Sequence, residues 1–385
     1  MKSSTAARLL LLVTGLLGLV TLTCQSANRP KIAWARRFRD VINPSYGQAS
    51  CMQAAPDGGY VLASTENADD ASFPMLMIKT NADGEEQWRQ RYGSPDSSLE
   101  LPIIMGLAAQ GTGDGGYVML GTIEWSEFGG VPRNGAGLVK TDSSGITEWT
   151  RLSRDWGYAN SIAQASGGGY AIGGSGESGA FILRTDPQGD SLWATTSSVG
   201  GAYNETGPLQ LVSDGGFVLP FTAQSGSNDM HAALLKLTSD GTVSWLMDES
   251  SVHSCRGVCE TPDEGFMLVG QDSGPQPALG EGWFSLVCTD AQGEAKRVMH
   301  VRAGDGRAID LMPDGNRALA GSSRDHPCVV KADTLGYEIW SATWVEDRGT
   351  FTSVKATADG GIVAAGPLSN TPEILAVKFM PPDRE

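Results

Sequence analysis

The sequence of 385 residues is poor in the side chains that build metal centres and disulfide frameworks. None of its 4 histidines is spaced as metal ligands are. Of its 6 cysteines, Cys24 lies in the N-terminal segment, and the others are an odd, widely scattered set. We therefore expect no metal ion, no cofactor and no disulfide framework.

Two local patterns leave alternatives to this expectation. Cys255 and Cys259 form a C-x-x-x-C motif, but in a strand their Cα atoms would lie about 13 Å apart, beyond the reach of a disulfide. Small buried thiols are therefore favoured over a redox or metal site. The acidic segment Asn67–Asp70 is compatible with a weak Ca²⁺ site, although it lacks the alternating aspartates of a calcium loop.

Short catalytic signatures and an excess of basic residues are also missing. There is no G-x-S-x-G elbow, no phosphate loop and no H-E-x-x-H motif, which excludes the enzyme classes that depend on them. Lysine and arginine number 28 against 44 aspartates and glutamates, a net charge of −16, so a nucleic acid partner is not expected.

Only one long apolar run is present, at the N-terminus. Leu9–Leu22 follows the basic residues Lys2 and Arg8, which is the pattern of a signal peptide, with a membrane anchor as the alternative. We assign residues 1–23 to this signal peptide.

The segment that follows resembles the lipobox of bacterial lipoproteins, with Cys24 as the residue to be lipidated. Thr21 and Thr23 depart from the usual pattern, so cleavage after Ser26 or Ala27 by the ordinary signal peptidase stays open. Either route predicts an exported protein, as an outer-membrane-associated lipoprotein or a periplasmic or extracellular protein. Contact with the membrane is expected only through the N-terminal lipid.

The rest of the chain repeats at intervals of about fifty residues. A triplet that reads DGG or a close variant opens each of seven copies. The triplets begin at Asp57, Asp114, Gly167, Asp214, Asp263, Asp314 and Asp359. Apolar strand-like segments flank them, which predicts a two-residue hairpin at each triplet.

A second landmark follows the triplet in six copies. It runs from Lys to Trp with a central Gly at a fixed spacing, as in "KTNADGEEQW" at Lys79–Trp88. The fifth copy, Cys288–Arg297, has lost both the Lys and the Trp. Asp or Asn at the first turn position and Gly at the fourth are typical of a type I turn between two further strands.

Each copy is therefore a four-stranded antiparallel meander, the unit of a β-propeller blade. A column of small residues precedes the triplets, as expected of the innermost strands: Cys51, Ala108, Ser161, Pro208, Gly257, Ala308 and Ser353. The seventh copy ends after Ile374–Phe379 with only three strands, whereas Lys31–Phe38 precedes the first copy. We predict an all-β, seven-bladed propeller over residues 31–380, its last blade closed by the N-terminal strand, with a linker at 24–30 and a tail at 381–385.

The recurring tryptophans are expected to be wedges between blades rather than a ligand-stacking set. They are Trp34, Trp88, Trp149, Trp193, Trp245 and Trp340. One large buried side chain at the same position of successive blades is accounted for by packing alone.

The D-x-x-G-x-x-x-W hairpin resembles the tryptophan-docking motif of pyrroloquinoline-quinone-type propellers. That family includes quinone dehydrogenases and a lipoprotein scaffold of the outer-membrane β-barrel assembly machinery. The motif here is one residue shorter, and that family typically has eight blades. The repeats are more similar to the "DGGY…KTD..G…W" propellers of uncharacterised bacterial secreted proteins and lipoproteins, over about residues 31 to 380. This resemblance implies the fold and export but no activity.

Variable loops predict the functional face. Insertions fall between the second and third strands and between successive blades, which places them on one face of the ring. The loops expected there include Thr65–Phe73, Ile123–Asn134, Asp272–Trp283 and Ser322–Pro327. The Asp325-His326-Pro327 segment is expected to be a turn rather than a catalytic pair.

Polar residues cluster just before the first strands, at the axial mouth of this face. They are Asn160, Glu205, His253, Arg256, Asp305 and Arg307. We hypothesise a pocket built from Asn160, Arg256 and Arg307, in which the two arginines hold a carboxylate or phosphate group. The alternative is that they pair with Glu205 and Asp305.

The sequence favours a monomeric, non-catalytic binding or scaffolding propeller of the bacterial cell envelope, which recognises a protein, peptide or glycan through the loop face. The alternative is a glycosidase, lyase or quinoprotein-like enzyme with its site at the axial mouth. Catalytic residues of a repeat fold can come from separate blades, so the missing motifs do not decide between the two.

Overall fold

The computed structural model describes residues 29–39, 41–42, 51–66, 74–93, 103–125, 133–153, 155–197, 199, 205–225, 229–272 and 282–382. The predicted signal peptide, Cys24 and most of the linker lie outside these residues, so lipidation stays a prediction. The described segments are strands, turns and connecting loops, and they contain no helix with the length and apolarity needed to cross a membrane.

The strands form seven antiparallel sheets, which confirms the seven-bladed propeller. The chain enters through β1 (Lys31–Arg39), which belongs to the last blade. The first blade consists of β2 (Val41–Ile42), β3 (Cys51–Ala54), β4 (Tyr60–Glu66), β5 (Met75–Thr80) and β6 (Glu86–Tyr92). The second consists of β7 (Ile103–Gly111), β8 (Tyr117–Trp125), β9 (Arg133–Thr141) and β10 (Thr147–Ser153). The third consists of β11 (Tyr158–Gln164), β12 (Tyr170–Gly176), β13 (Gly179–Thr185) and β14 (Ser191–Thr196).

The remaining blades repeat this plan, and in the fourth the innermost strand is split into two short pieces that both pair with the same neighbour. The fourth blade consists of β15 (Glu205–Thr206), β16 (Gln210–Leu211), β17 (Phe217–Ser225), β18 (Asp229–Leu237) and β19 (Val243–Glu249). The fifth consists of β20 (Gly257–Glu260), β21 (Phe266–Asp272), β22 (Trp283–Thr289) and β23 (Ala295–Ala303). The sixth consists of β24 (Asp305–Leu311), β25 (Arg317–Ser323), β26 (His326–Ala332) and β27 (Glu338–Thr343). The seventh takes β28 (Ser353–Ala356), β29 (Ile362–Pro367) and β30 (Glu373–Met380) from the end of the chain.

The two ends of the chain close the ring, as predicted. Strand β1 pairs antiparallel with β30, with Ile32 opposite Phe379 and Arg36 opposite Ala376. The guanidinium of Arg37 adds an ion pair to Glu373 on β30 at 3.2 Å. Closure gives the last sheet its outermost strand and leaves the ring without an open seam between its first and last blades.

The hydrophobic core is divided among the seven interfaces between neighbouring blades. Seven separate clusters of buried side chains are present in the described part of the chain, and each draws its members from two adjacent blades. Each blade is therefore stabilised by its two neighbours, as in other repeat architectures.

The recurring tryptophans lie at these interfaces. Trp34 on β1 packs against Tyr60 of the first blade, with ring centroids 6.0 Å apart. A Cβ on Gly84 would lie 2.8 Å from the Trp34 ring, so the glycine of the second landmark makes room for the tryptophan of the preceding blade. Four further pairs repeat this packing: Trp88 with Tyr117, Trp149 with Tyr170, Trp193 with Phe217, and Trp245 with Phe266.

The triplet turns differ from the predicted two-residue hairpins. The amide of Gly58 donates to the carbonyl of Ala55 at 3.0 Å, and the amide of Ala55 donates to Gly59 at 2.9 Å, which encloses a three-residue loop. Gly58 alone adopts positive φ there, at 84°. A type I turn followed by one left-handed residue joins twisted strands as well as a two-residue turn does, and it requires only one glycine.

The second glycine of the triplet serves a different purpose. A Cβ on Gly59 would overlap the carbonyl oxygen of Thr80 and lie 2.8 Å from Nζ of Lys79 on the facing strand. The two glycines of the Asp-Gly-Gly triplet therefore have different roles. The first adopts the left-handed conformation of the turn, and the second lets β5 approach.

A lysine on the third strand pairs with the aspartate of the triplet in five blades, and it is buried in four of them and half-buried in the seventh blade. Nζ of Lys79, for example, lies 2.7 Å from Asp57 and is almost completely buried. The other pairs are Lys140 with Asp114, Lys236 with Asp214, Lys331 with Asp314, and Lys378 with Asp359. In the third blade the aspartate has become Gly167, and the lysine has become Arg184, which donates to the carbonyls of Gly168 and Thr185.

Candidate functional site

The innermost strands of all seven blades line a cavity of about 380 Å³ on the propeller axis. Six members of the predicted small-residue column are in its wall: Ala108, Ser161, Pro208, Gly257, Ala308 and Ser353. The first blade contributes Gln53, two residues after Cys51. A Cβ on Gly257 would lie 3.0 Å from Val269 and 3.3 Å from Ala308 of the next blade, which shows how closely the strands approach.

Four of the predicted site residues form one ionic network at the mouth of this cavity. Arg256, which directly precedes β20, donates to both oxygens of Glu205, at 2.9 Å from Nε and 3.1 Å from Nη2. Its Nη1 donates to Asp305 at 2.8 Å. Nε of Arg307 donates to the other oxygen of Asp305 at 2.7 Å, and Nη1 of Arg307 lies 3.6 Å from Glu205. The two arginines thus pair with the two carboxylates, which is the alternative that the sequence left open.

The network is electrostatically self-consistent. Burial alone would raise the pKa of Glu205, but the charges of Arg256 and Arg307 outweigh it, and the pKa is lowered. Burial likewise opposes the charge of Arg256, but Asp305 and Glu205 outweigh it and raise its pKa. Because Arg256 bonds to both carboxylates, it fixes the mouth across three successive blades. The side chain of Arg307 is slightly more exposed than that of Arg256.

The other two predicted residues have different surroundings. Nδ2 of Asn160 donates to the carbonyl and the hydroxyl of Thr206, at 2.8 and 2.6 Å, so Asn160 lines the cavity but joins the third blade to the fourth. His253 is half-buried and is not part of the cavity lining found in the described residues. The structure therefore brings together Glu205, Arg256, Asp305 and Arg307, and not His253.

A second cavity, of about 640 Å³, opens on the loop face between the fifth, sixth and seventh blades. We call it the loop-face cleft. Arg307 lines both this cleft and the axial cavity, so the two spaces meet at its side chain. Arg324 and Arg348 line the cleft as well. Of the four loops predicted for this face, only Ser322–Pro327 is described in full.

The turn between β25 and β26 is the strained part of the cleft. Arg324 and Asp325 have φ values of 52° and 61°, and Ser323 pairs with His326 across them. The turn predicted at Asp325–Pro327 thus lies one residue earlier, because His326 and Pro327 already belong to β26. Left-handed backbone costs a residue with a Cβ about 1–2 kcal/mol. The turn is held by the next blade, since the amide of Gly349 donates to the carbonyl of Asp325 at 2.8 Å.

Solved structures with the same architecture are β-propellers. The WD40 domain of Pan2 from Neurospora crassa is 11% identical, with 94% of this chain and 98% of that chain covered and a TM-score of 0.60. A catalytically inactive virginiamycin B lyase from Staphylococcus aureus, solved with quinupristin, is 12% identical, with 90% of this chain and 100% of that chain covered and a TM-score of 0.54. No protein-family model and no curated protein matches the chain. At these identities the likeness establishes the fold alone.

Sequence reasoning missed one polar arrangement at the top of the fifth blade. The hydroxyl of Ser285 lies 3.0 Å from Nδ1 of His300, and Nε2 of that histidine lies 3.6 Å from Asp272. The three residues are on β22, β23 and β21, and the cross-strand pairing of Ser285 with His300 was the only signal that could have joined them. Ser285 is 1% exposed and its hydroxyl also donates to the carbonyl of Trp283, so a substrate cannot reach it in this conformation.

The thiols are free where the structure describes them. Cys255 and Cys259 are buried and unbridged, and burial raises the pKa of each to about 12. Such thiols are poor nucleophiles and poor metal ligands at neutral pH. No group of metal-ligating side chains is found within the described ranges, and Asn67–Asp70 lies outside them.

Proposed function

We propose that this propeller is a non-catalytic binding module of the bacterial cell envelope, which recognises a protein, peptide or glycan through its loop face. The observation that carries the proposal is that Arg307 stands where the axial cavity and the loop-face cleft meet. A ligand lying in the cleft would reach the charged mouth of the channel there. Rigid scaffolds that carry variable loops on one face are where binding sites are expected.

The ionic network supports a rigid mouth rather than a reactive one. Arg256 uses its guanidinium edges on Glu205 and Asp305, so neither carboxylate is a free general base. A general acid–base mechanism needs a group that can exchange a proton with the substrate. The ligand contacts are therefore assigned to Arg307 and the cleft, and Arg256 is assigned to holding the mouth in shape.

The envelope location is part of the proposal and rests on the N-terminal segment. The repeats resemble those of bacterial secreted proteins and lipoproteins, and Cys24 follows a signal-peptide-like run. In cells, Cys24→Ala should release the protein from membranes into the soluble fraction. Unchanged partitioning would reject lipidation and leave ordinary secretion.

An enzyme remains the second candidate because of Ser285, His300 and Asp272. Their connectivity is that of a nucleophile, a base and an orienting carboxylate. It ranks below binding because the Ser285 hydroxyl is buried and already donates to a backbone carbonyl. Ser285→Ala should therefore leave every activity of the loop face unchanged.

The experiment compares binding and turnover on the same panel. Wild-type protein, Arg307→Gln and the outer-strand control Lys296→Gln are presented to immobilised bacterial polysaccharides, peptidoglycan fragments and envelope-protein peptides. The bound molecules are then analysed for cleavage. We expect binding without turnover, weakened at least tenfold by Arg307→Gln only. Turnover of a bound molecule, or binding that ignores Arg307, contradicts the proposal.

A further inference from the structure

Among the residues that the structure describes, the loop-face cleft is lined without a single apolar side chain. Each of these lining residues is charged, polar and uncharged, or glycine. Pockets for apolar ligands are lined mainly by hydrophobic and aromatic groups. The uncharged polar residues here offer both donors and acceptors: Gln271, Ser322, Thr350, Ser369 and Asn370. Such a wall fits a ligand that is rich in hydroxyl groups.

The described lining of the cleft is net positive in an acidic protein. Three of these residues are arginines and two are aspartates, in a chain whose net charge is −16. Asp305 is already paired with Arg256 and Arg307, and Asp325 is exposed, 3.9 Å from Arg348. Arg324 is within 4.0 Å of no carboxylate among the residues that the structure places. Arg324 is exposed and lines the cleft, and it is the arginine there that has no carboxylate partner among the described residues.

The backbone at Arg324 provides a second, independent observation. Nineteen glycines adopt positive φ in the described chain, against three other residues, two of which are Arg324 and Asp325. Glycine would satisfy this turn without strain. Strained backbone of this kind clusters at binding sites, and the residue that carries it here lines the cleft.

We propose that the loop-face cleft binds an acidic saccharide, with Arg324 and Arg348 receiving the anionic group of a sugar and the uncharged polar side chains receiving its hydroxyls. This names the ligand class of the proposed function and rests on it. Arginine suits the task because its planar fork matches carboxylate and phosphate oxygens in two parallel hydrogen bonds. A sugar carboxylate and a sugar phosphate share this chemistry, and the volume of about 640 Å³ accommodates a short oligosaccharide.

The test uses isothermal titration of the full propeller with three probes. Tri-galacturonate carries carboxylates, glucose 6-phosphate carries a phosphate, and a neutral galactose trisaccharide is the matched control. We expect binding of one or both acidic probes, at least tenfold weaker for the neutral sugar and weakened further by salt. Arg324→Gly and Arg348→Gln should each weaken the acidic probe at least tenfold.

Adjacent residues supply the matched control variant. Arg324→Gly and Asp325→Gly both relieve a left-handed backbone, so the melting temperature of each should stay the same or rise. Only Arg324→Gly should weaken binding of the acidic probe. Asp325→Gly should bind this probe with an affinity equal to or higher than that of the wild type. Equal effects of the two variants on binding would overturn the proposal, because the turn rather than the charge would then matter.

The remaining outcomes separate the two proposals. If neither acidic probe binds, or the neutral sugar binds as tightly, the saccharide inference is wrong. Arg307-dependent binding of another molecule would still leave the proposed function standing in that case. If tri-galacturonate binds through Arg324 but is cleaved, the anion site stands and the non-catalytic function falls.

Discussion

Arg256 of the fifth blade clasps both carboxylate oxygens of Glu205 of the fourth blade, at 2.9 and 3.1 Å. The same guanidinium reaches Asp305 of the sixth blade at 2.8 Å. One side chain thus connects three successive blades at the axial mouth. The axial mouth is therefore set by charge pairing as well as by the packing between blades.

Arg256→Ala should lower the free energy of unfolding by about 3 kcal/mol, because it removes the main partner of the partly buried Glu205 and Asp305 and leaves them with Arg307 alone. Arg256→Lys should recover little of this, since an ammonium cannot form the two parallel bonds. Urea unfolding of both variants measures the effect. Arg307→Gln is the control and should cost clearly less. An Arg256→Ala protein as stable as wild type would show that the network is incidental.

The triplet aspartates predict a loss of stability in acid. Partial burial would raise the pKa of Asp114, but hydrogen bonds from Lys140, Thr112 and Gly116 outweigh it and lower the pKa to about 2. Asp359 is lowered to about 2 in the same way, beside Lys378. A pKa that is lower in the folded state stabilises the fold above the unfolded pKa of about 4, and this contribution is lost as the pH falls toward 2.

The measurement is the melting temperature between pH 5 and pH 2. The wild type should lose stability through this window, and Asp114→Asn should begin less stable at pH 5 and fall less steeply. Glu346→Gln, an exposed substitution on the loop face, should follow the wild type. A slope that Asp114→Asn leaves unchanged would assign the acid sensitivity to other carboxylates.

The blade plan was predictable from sequence because the turns impose it. Six of the seven triplet turns have a glycine at the left-handed position, and five of the six recurring tryptophans pack against the glycine of the following blade, so spacing alone reveals strand number and order. The predicted turn type was wrong because DGG fits both a two-residue hairpin and a longer turn. The second glycine serves the close approach of Thr80 rather than a second left-handed turn position. The pairing of Lys79 with Asp57 could have been found, since the two residue types recur together in five blades and are both replaced in the third, although the fifth blade keeps Asp263 without the lysine.

The site was less predictable than the fold. The positions of Glu205, Arg256, Asp305 and Arg307 follow from the first strands, but which charges pair depends on side-chain geometry within a ring of blades. Arg324 and Arg348 come from loops of different blades, and no spacing in the sequence joins them. The cleft that they line depends on the closed ring itself.

Glu264 predicts a stabilising substitution. It takes the place that glycine occupies in the other triplets and has a φ of 64°. Glu264→Gly should raise the free energy of unfolding by about 0.5–1 kcal/mol, because relief of left-handed strain exceeds the added entropy of the unfolded chain. Gly58→Ala, at the matching position of the first blade with φ 84°, should destabilise. Thermal unfolding of both variants checks the opposite signs, and equal signs would contradict the turn assignment.

The tryptophan wedges should differ in strength according to burial. Trp34 closes the ring and is 8% exposed, whereas Trp149 is only partly buried, so Trp34→Ala should cost about 3–5 kcal/mol and Trp149→Ala less. Trp34→Phe should be milder, since Nε1 of Trp34 has no hydrogen-bond partner among the described residues and the phenyl ring keeps most of the contact with Tyr60.

The tryptophan wedges pack against the first residues after the triplet turns, as Trp34 does against Tyr60. The loop face lies at the opposite end of the blades from these turns. Any binding there should therefore survive Trp149→Ala below its melting temperature. Loss of binding at unchanged stability would instead make the tryptophans ligand contacts and remove the basis for treating them as wedges.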